Sequence, residues 1–327
     1  LLFSGIIVHV LPNRFIALTC PVAGSAWLCV LSVIHRSQAC AAVVPLVLAL
    51  TVVLYAFGVR ASGHSYLGQT LIEERDTPFG RLRLTRTGEQ VTFTSDTSIL
   101  FSAPDPERAE YMVHIPILAA RDRSRVLILG GGPGGAASEA MKYPDVRNLT
   151  LVELDPAVFT LARVHLGERY SADPRIRIVS SDPRAFLART RDRFDVIIMT
   201  APAPLSGLAN RSYTREFFRL ASSRMTSGGV IGFALEGSEN YIDGDLARFL
   251  ASIRAELRAA FPSVAVLPGL DCRFLASNRA GALDGLTWER LDTGRARLGI
   301  ETSYVRDWFL RYTMSPERVS AVTTALD

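Results

Sequence analysis

The sequence predicts an α/β fold: a doubly wound sheet of mainly parallel strands, preceded by a small β-domain and by transmembrane helices. Long uncharged runs lie near the N-terminus, and short strands of alternating polarity follow them. From residue 125 onward, apolar strand patterns alternate with helical patterns. Such alternation is typical of a parallel sheet that helices cover on both faces.

Residues 1–60 predict membrane spans. The chain is 48% hydrophobic, and the runs 15–34 and 39–59 carry no charge. Each run is long enough to cross about 30 Å of hydrocarbon as a helix, and residues 1–11 look like the end of another span. Two buried helices of a soluble protein are the alternative. Because the chain begins with Leu1, we expect a piece of a larger membrane protein.

Orientation follows from the arginines that flank the two runs. Arg14 and Arg60 lie on one side and Arg36 on the other, which favours a cytoplasmic soluble domain. The net charge of +4 is mild, and no basic stripe indicates nucleic-acid binding. The four cysteines form no disulfide framework, and neither they nor the histidines have the spacing of a metal site.

The predicted soluble part has three regions. Residues 61–120 form a small β-domain with strands at 71–74, 80–86 and 90–95 and a linking helix at 105–120. Residues 121–280 form the doubly wound domain, and residues 281–327 form an arginine-rich helical tail. In the doubly wound domain the strands are 126–129, 149–153, 176–180, 196–200 and 230–234. The helices are 134–142, 156–167, 183–190, 213–225 and 244–260.

A glycine-rich turn follows the first strand of the doubly wound domain. Gly130, Gly132 and Gly135 match GxGxxG between a strand and a helix, which lets backbone approach a ligand closely. Glu153 ends the next strand, where an acid can accept hydrogen bonds from both ribose hydroxyls. The spacing fits a nicotinamide dinucleotide or an S-adenosyl nucleoside equally well, and a tight structural turn is the remaining alternative. Asp182, after the third strand, is a feature of the S-adenosylmethionine type of fold.

Several runs together resemble the spermidine synthase family of aminopropyltransferases. They include LILGGGPGG, KYPDV, LTLVELDPAVFTLAR, DPRIRIVSSDPRAFL and FDVIIM. The resemblance covers roughly residues 66–278 and implies a Rossmann-like sheet of the S-adenosylmethionine type behind a small β-domain. The apolar runs and the tail look like the membrane-bound bacterial branch. The resemblance therefore implies a multi-pass protein of the bacterial inner membrane.

The family's chemistry is implied by the same resemblance. An amine attacks the propyl carbon of decarboxylated S-adenosylmethionine, and methylthioadenosine leaves; carboxylates align the amine and take up its proton. The nucleoside half of the family's site matches this chain. Its cofactor-binding residues would be Gln69, Gly130, Gly132, Gly135, Glu153 and Asp182.

The catalytic half of the family's site does not match. The family's acidic positions are occupied by Pro133, Thr200 and Ala203, and its Tyr-His pair becomes Ala109-Glu110, within one register step. The sequence therefore predicts no catalytic residue, and a replacement acid elsewhere is the alternative. The candidates are Asp105, Glu110, Glu236 and Glu239. Tyr213 and Glu216 are expected to be structural.

Three hypotheses follow. The first is a membrane-anchored protein that binds an S-adenosyl nucleoside but has lost or altered aminopropyl transfer. The second is an S-adenosylmethionine-dependent methyltransferase, because Pro133 would tolerate the methionine carboxylate that an aspartate repels. The third is a non-catalytic scaffold or sensor subunit of a membrane complex. The expected partners are a small nucleoside, the lipid bilayer, and membrane proteins or a second copy of the chain.

Overall fold

A computed structural model describes residues 45, 49–50, 52–53, 68–96, 98–167, 173–204, 206–238 and 242–327 of the chain. Internal contacts divide the chain into two compact units, Leu1–Thr87 and Gly88–Asp327. The predicted domain boundaries at residues 60, 120 and 280 remain predictions.

The first unit contains an antiparallel hairpin. Strands β1 (Thr70–Thr77) and β2 (Gly80–Thr87) pair from Thr70↔Arg86 to Thr77↔Gly80. The Thr77 hydroxyl accepts a hydrogen bond from the Phe79 N–H at 3.1 Å and donates to the Gly80 carbonyl at 2.9 Å, which fixes the turn. Cross-strand ion pairs join the polar face. The two strands confirm those predicted at 71–74 and 80–86.

The second unit begins with another hairpin. Strands β3 (Gln90–Ser95) and β4 (Ser98–Ala103) are antiparallel, and the rings of Phe93 and Phe101 stack with centroids 4.5 Å apart. Helix α1 (Pro106–Ala119) follows, with Asp105 as its N-cap. Pro116 of this helix packs where Gly232 leaves room, because a Cβ at Gly232 would lie 2.7 Å from the Pro116 Cβ. The helix therefore lies directly on the large sheet.

Seven strands in the described part of the second unit form this large sheet, in the order β10-β11-β9-β8-β5-β6-β7. Strands β5 to β9 are mutually parallel where they pair, and β11 and β10 continue the sheet antiparallel. The strands are β5 (Arg125–Leu129), β6 (Asn148–Glu153), β7 (Ile176–Ser180), β8 (Phe194–Met199), β9 (Met225–Ser238), β10 (Ser263–Leu267) and β11 (Gly269–Ser277).

Helices connect these strands and confirm the predicted strand–helix alternation. Every residue of β8 is buried, as expected for a central strand covered on both faces. The helices are α2 (Ala136–Met141), α3 (Pro156–Leu166), α4 (Pro183–Arg189), α5 (Gly207–Asn210), α6 (Arg215–Ser223) and α7 (Gly244–Arg258). Three more lie in the tail: α8 (Trp288–Arg297), α9 (Asp307–Thr313) and α10 (Pro316–Ala325).

Two details of the sheet differ from the prediction. The first helix after β5 does not begin at residue 134, because a 3-10 turn (Gly132–Gly134) precedes α2. Strand β9 runs over 14 residues instead of the predicted five, and β10 and β11 extend the sheet beyond it. Strand β11 pairs antiparallel with both β9 and β10. A search for strand–helix alternation does not detect such pairing.

The structure contradicts the prediction of a multi-pass membrane protein. No helix among the described residues is long and apolar enough to cross a membrane. A span needs about 20 apolar residues, whereas α7 has 15 residues, and five of these are arginine or acidic residues. The expected spans 1–11 and 15–34 lie outside the described residues. Of the span 39–59, only residues 45, 49–50 and 52–53 are described.

Candidate nucleoside site

The glycine turn leaves the carboxyl end of β5. Gly130, Gly131 and Gly135 have φ angles of 85°, 47° and 107°, a region that side-chain-bearing residues rarely adopt. The Gly130 N–H donates to the Val152 carbonyl at 2.8 Å, which ties the turn to β6. Gly132 packs on Leu151 of the same strand. The shape of the turn therefore itself favours glycine at these positions.

Pro133 is buried inside the 3-10 turn. A proline fits the start of such a turn, because its missing N–H would have no partner there and its φ angle is already suitable. It carries no charge.

Glu153 joins the turn at the carboxyl end of β6. Its carboxylate accepts hydrogen bonds from the N–H groups of Gly131 at 3.2 Å and Leu154 at 2.8 Å. The side chain is almost fully buried, and burial raises the pKa of Glu153 to about 7, although backbone hydrogen bonds oppose that rise. Glu153 thus contacts the glycine turn directly, and its predicted role toward a ribose stays a prediction.

Asp182 follows β7 and caps helix α4. One carboxylate oxygen accepts from the Ala185 N–H at 2.9 Å, and the other lies 3.3 Å from the Arg211 guanidinium. The capping role explains the local sequence, since Asp before Pro is a common helix start. Arg211, just after α5, was missed by sequence reasoning, and no local pattern identifies it.

Thr200 fastens the turn from the end of β8. Its hydroxyl donates a short hydrogen bond to the Gly130 carbonyl, and its N–H donates to the Leu129 carbonyl at 3.0 Å. The next residues form a loop held by Tyr213, whose hydroxyl donates to the Ala201 carbonyl at 3.1 Å. Ala203 is half-buried against the hydrophobic core. None of Pro133, Thr200 and Ala203 carries a charge.

The acids considered as substitutes have other partners or positions. Glu110 is 2% exposed and accepts three backbone hydrogen bonds from residues 303–305 of the tail. Asp105 accepts from the Arg108 N–H at the start of α1, and Glu236 is exposed on β9. Glu239 lies outside the described residues. We therefore assign no general base to any of them.

The structure brings most of the predicted nucleoside-binding residues to one sheet edge. The turn, Glu153 and Asp182 follow the neighbouring strands β5, β6 and β7, whose carboxyl ends share that edge. Gln69 belongs to the other compact unit, where it is exposed just before β1, so its role remains a prediction.

The buried histidine of α1 has a separate structural environment. His114 lies 2.8 Å from the Tyr143 hydroxyl and 2.9 Å from the Glu139 carboxylate. His64 lies outside the described residues. In the described ranges, no group of three or more His, Cys, Asp or Glu side chains is arranged to hold a metal ion.

Replacing Glu153 with glutamine is expected to stabilise the protein at high pH. The folded carboxyl keeps its proton up to about pH 7, whereas its ordinary pKa is 4.5. Between pH 4.5 and about 7 the folded state thus binds more protons than the unfolded state, so the free energy of unfolding falls as pH rises through that window. Glu153→Gln removes this dependence and should gain about 3 kcal/mol at pH 8 but nothing below pH 4. Denaturant unfolding at a series of pH values measures this gain, and Glu236→Gln, at an exposed position, is the control. The prediction is contradicted if the two variants show the same dependence of stability on pH.

Comparison with known proteins places these features in context. The sequence model of the spermine/spermidine synthase domain matches residues 107–271. Polyamine aminopropyltransferase 2 of Ralstonia nicotianae is 32% identical over 176 residues, which are 52% of this chain and 34% of that protein. Polyamine aminopropyltransferase of Nitrosomonas europaea is 33% identical over 162 residues, 49% of each chain. The chain thus spans between a third and a half of the length of these two relatives.

The fold also matches a solved structure. A crystal structure of spermidine synthase in complex with the transition state analogue AdoDATO superimposes with a TM-score of 0.66. The alignment covers 78% of this chain and 88% of that one, at 22% sequence identity. At this identity the match describes the fold alone. It agrees with the Rossmann-like α/β architecture of the second unit.

Proposed function

The chain belongs to the spermine/spermidine synthase family, and on that premise we propose that it binds an S-adenosyl nucleoside while the family's aminopropyl transfer is lost or altered. The ligand would be S-adenosylmethionine or its decarboxylated form, with methylthioadenosine as the product of aminopropyl chemistry. The observation that carries the proposal is the joining of the glycine turn to Glu153, at the edge where Asp182 also lies.

The acids at this edge retain the capacity to bind a nucleoside. A carboxylate has about four acceptor positions. Glu153 receives backbone hydrogen bonds from Gly131, Leu154 and Asp155, so a ribose hydroxyl can still donate to it. Asp182 has two neighbours, Ala185 and Arg211, which leaves acceptor positions for an adenine amino group. These residues fit a nucleoside.

The second part of the proposal rests on the uncharged positions. An amine substrate needs a neighbouring carboxylate to concentrate it and to take up its proton. Pro133, Thr200 and Ala203 supply none, and the hydroxyl of Thr200 is already engaged with the turn. Spermidine formation from putrescine and decarboxylated S-adenosylmethionine at the rates usual for enzymes would overturn this part.

Methyl transfer is the second candidate, and one observation favours it. Pro133 is buried and uncharged, so the turn does not repel the carboxylate of intact S-adenosylmethionine. Methyl transfer to a good nucleophile can rest on positioning alone. Preference for S-adenosylmethionine over its decarboxylated form would support this candidate, and the opposite preference would oppose it.

Calorimetric titration of the 327-residue chain with methylthioadenosine tests nucleoside binding. Asp182→Asn should weaken binding about tenfold, because one charge-assisted hydrogen bond to the adenine amino group is replaced by a weaker one. The matched control is Asp192→Asn, which removes an exposed acid paired with Arg177 at 3.5 Å, before β8.

The outcomes separate the remaining hypotheses. Binding that weakens in Asp182→Asn alone supports the nucleoside site. Equal weakening in both variants would contradict the role of Asp182. Absence of heat with all three adenosyl compounds would leave the glycine turn as a structural element, in keeping with a non-catalytic scaffold.

A further inference from the structure

A cavity of about 590 Å³ lies between the start of α1, the start of β11 and the C-terminal tail. Arg108, Tyr111 and Arg273 line it from within or beside the family-matched residues. Phe309, Tyr312 and Arg318 also line it and come from the tail, beyond that match. The tail therefore builds half of the cavity, which gives residues 281–327 a place in a binding site.

Arg273 is the central charged group of the cavity. Its side chain is 6% exposed, and its guanidinium lies 4.8 Å from the Tyr111 ring centroid and 5.7 Å from that of Phe309. Its Nε has no hydrogen-bond partner among the described residues, and Nη1 reaches only the Asp271 carbonyl, at 3.4 Å. A buried guanidinium is costly unless an anion pairs with it. Burial accordingly lowers the pKa of Arg273.

Arg318 repeats this arrangement on the tail side. Its guanidinium lies 4.2 Å from the centroid of the Tyr312 ring. Its Nε and Nη2 are buried and have no partner in the described part of the chain. Two arginines that line the cavity thus keep unused donors. Planar donor pairs of this kind suit a carboxylate or phosphate.

Each acid that lines the cavity has a partner. Asp105 caps α1, and Asp271 lies 3.9 Å from the Arg108 guanidinium and also favours the charged form of Arg273. Glu107 accepts a hydrogen bond from Tyr111; burial first, then this acid, raises the pKa of Tyr111 to about 12. Among the side chains that line the cavity, the buried polar atoms without a partner in the described part of the chain are those of Arg273 and Arg318.

The aromatic rings define the rest of the ligand. The Tyr111 and Phe309 rings stack with centroids 4.1 Å apart, and Trp308 and Tyr312 are half or more exposed at the tail side. The exposed rings of Trp308 and Tyr312 can pack against a flat apolar group. We propose that this cavity binds a small organic anion, a carboxylate carried on an aromatic ring.

The cavity adjoins the glycine turn through α1. Arg108 precedes Ala109, and a Cβ at Gly135 would lie 3.1 Å from the Ala109 Cβ. A bound anion would thus lie close to the proposed nucleoside site. The assignment stands on the cavity's own residues and does not require nucleoside binding.

Calorimetric titration of the full chain with phenylacetate tests the proposal, with 2-phenylethylamine as a cation of similar shape. We expect phenylacetate to bind at least about tenfold more tightly than the amine, because the unused donors are cationic. Arg273→Gln and Arg318→Gln should each weaken phenylacetate binding about tenfold. Arg311→Gln is the matched control, since Arg311 is exposed and lies over Trp288 instead of the cavity.

Three results would overturn the proposal: no heat with phenylacetate, an equal or stronger response to the amine, or equal losses in Arg311→Gln. If Arg273→Gln does not fold, Arg318→Gln decides the matter, because that residue is only partly buried in the last helix. Methylthioadenosine titrated into the same variants keeps the two sites apart. If the arginine variants lose phenylacetate binding but still bind methylthioadenosine, the result supports the anion site in the cavity. If the chain binds phenylacetate but not methylthioadenosine, the result counts only against the proposed nucleoside binding.

Discussion

Replacing Gly131 with valine is expected to abolish detectable binding of methylthioadenosine, a loss of more than about 100-fold. Gly131 has φ 47°, where a β-branched residue is strained by about 1–3 kcal/mol. A Cβ there would lie 2.8 Å from the Thr200 hydroxyl oxygen and 3.5 Å from the Leu100 carbonyl. The same residue donates its N–H to Glu153. The substitution would therefore disturb both the turn and the acid beside it.

A second glycine provides the matched control. Gly88 has φ 58°, and a Cβ there meets nothing within 4 Å. Gly88→Val thus introduces the same backbone strain at a distance from the glycine turn in sequence and without a collision. Calorimetry should find nucleoside binding intact in this variant, and thermal unfolding should find both variants destabilised. Similar loss of binding in both would mean that general destabilisation is responsible, and intact binding in Gly131→Val would exclude the turn as the site.

Much of the sheet could be predicted because its signal is local. The strand β5, the turn and the helix after it are marked by an apolar run and by glycines within a few residues. Strands β5 to β8 confirm their predicted positions to within two residues at each end, since each is a short apolar run between helices, whereas β9 is much longer than predicted. Glu153 could be placed beside the turn because the strand ends of a parallel sheet meet at one edge.

The contacts that complete the site join residues far apart in the sequence. Thr200 bonds to Gly130 across 70 positions, and Glu110 bonds to Ser303 across 193. No periodicity connects such residues, since their meeting depends on how whole elements pack. For the same reason Arg211 could not be assigned to Asp182, nor the tail arginine Arg318 to a cavity shared with Arg273.

Glu110 shows how a residue type can mislead when its position is unknown. A glutamate near the missing carboxylates is a reasonable candidate for a replacement acid. In the structure it is buried and bound to three N–H groups of the tail, at 2.7, 2.8 and 2.9 Å. Its carboxylate holds a backbone loop of the tail. We therefore expect replacement of Glu110 to change the stability of the fold instead of the chemistry of the site.

Glu110→Ala is expected to lower the free energy of unfolding by about 4 kcal/mol. The substitution leaves the N–H groups of Ser303, Tyr304 and Val305 without their acceptor, and each buried unpaired group costs about 1–3 kcal/mol. Some relaxation of the loop reduces the sum. Denaturant unfolding measures the change, and limited proteolysis should cleave first near residues 298–306, because the loop loses its anchor to α1.

Two further variants separate this anchor from a general effect of removing a glutamate. Glu110→Gln keeps one acceptor oxygen, so its loss should be smaller, about 2 kcal/mol. Glu289→Ala removes an exposed glutamate from the first turn of α8 and should change stability by less than about 1 kcal/mol. If Glu110→Ala behaved like Glu289→Ala, the tail would be held by its apolar contacts. The carboxylate would then contribute little, because the freed N–H groups would reach water as the loop opens.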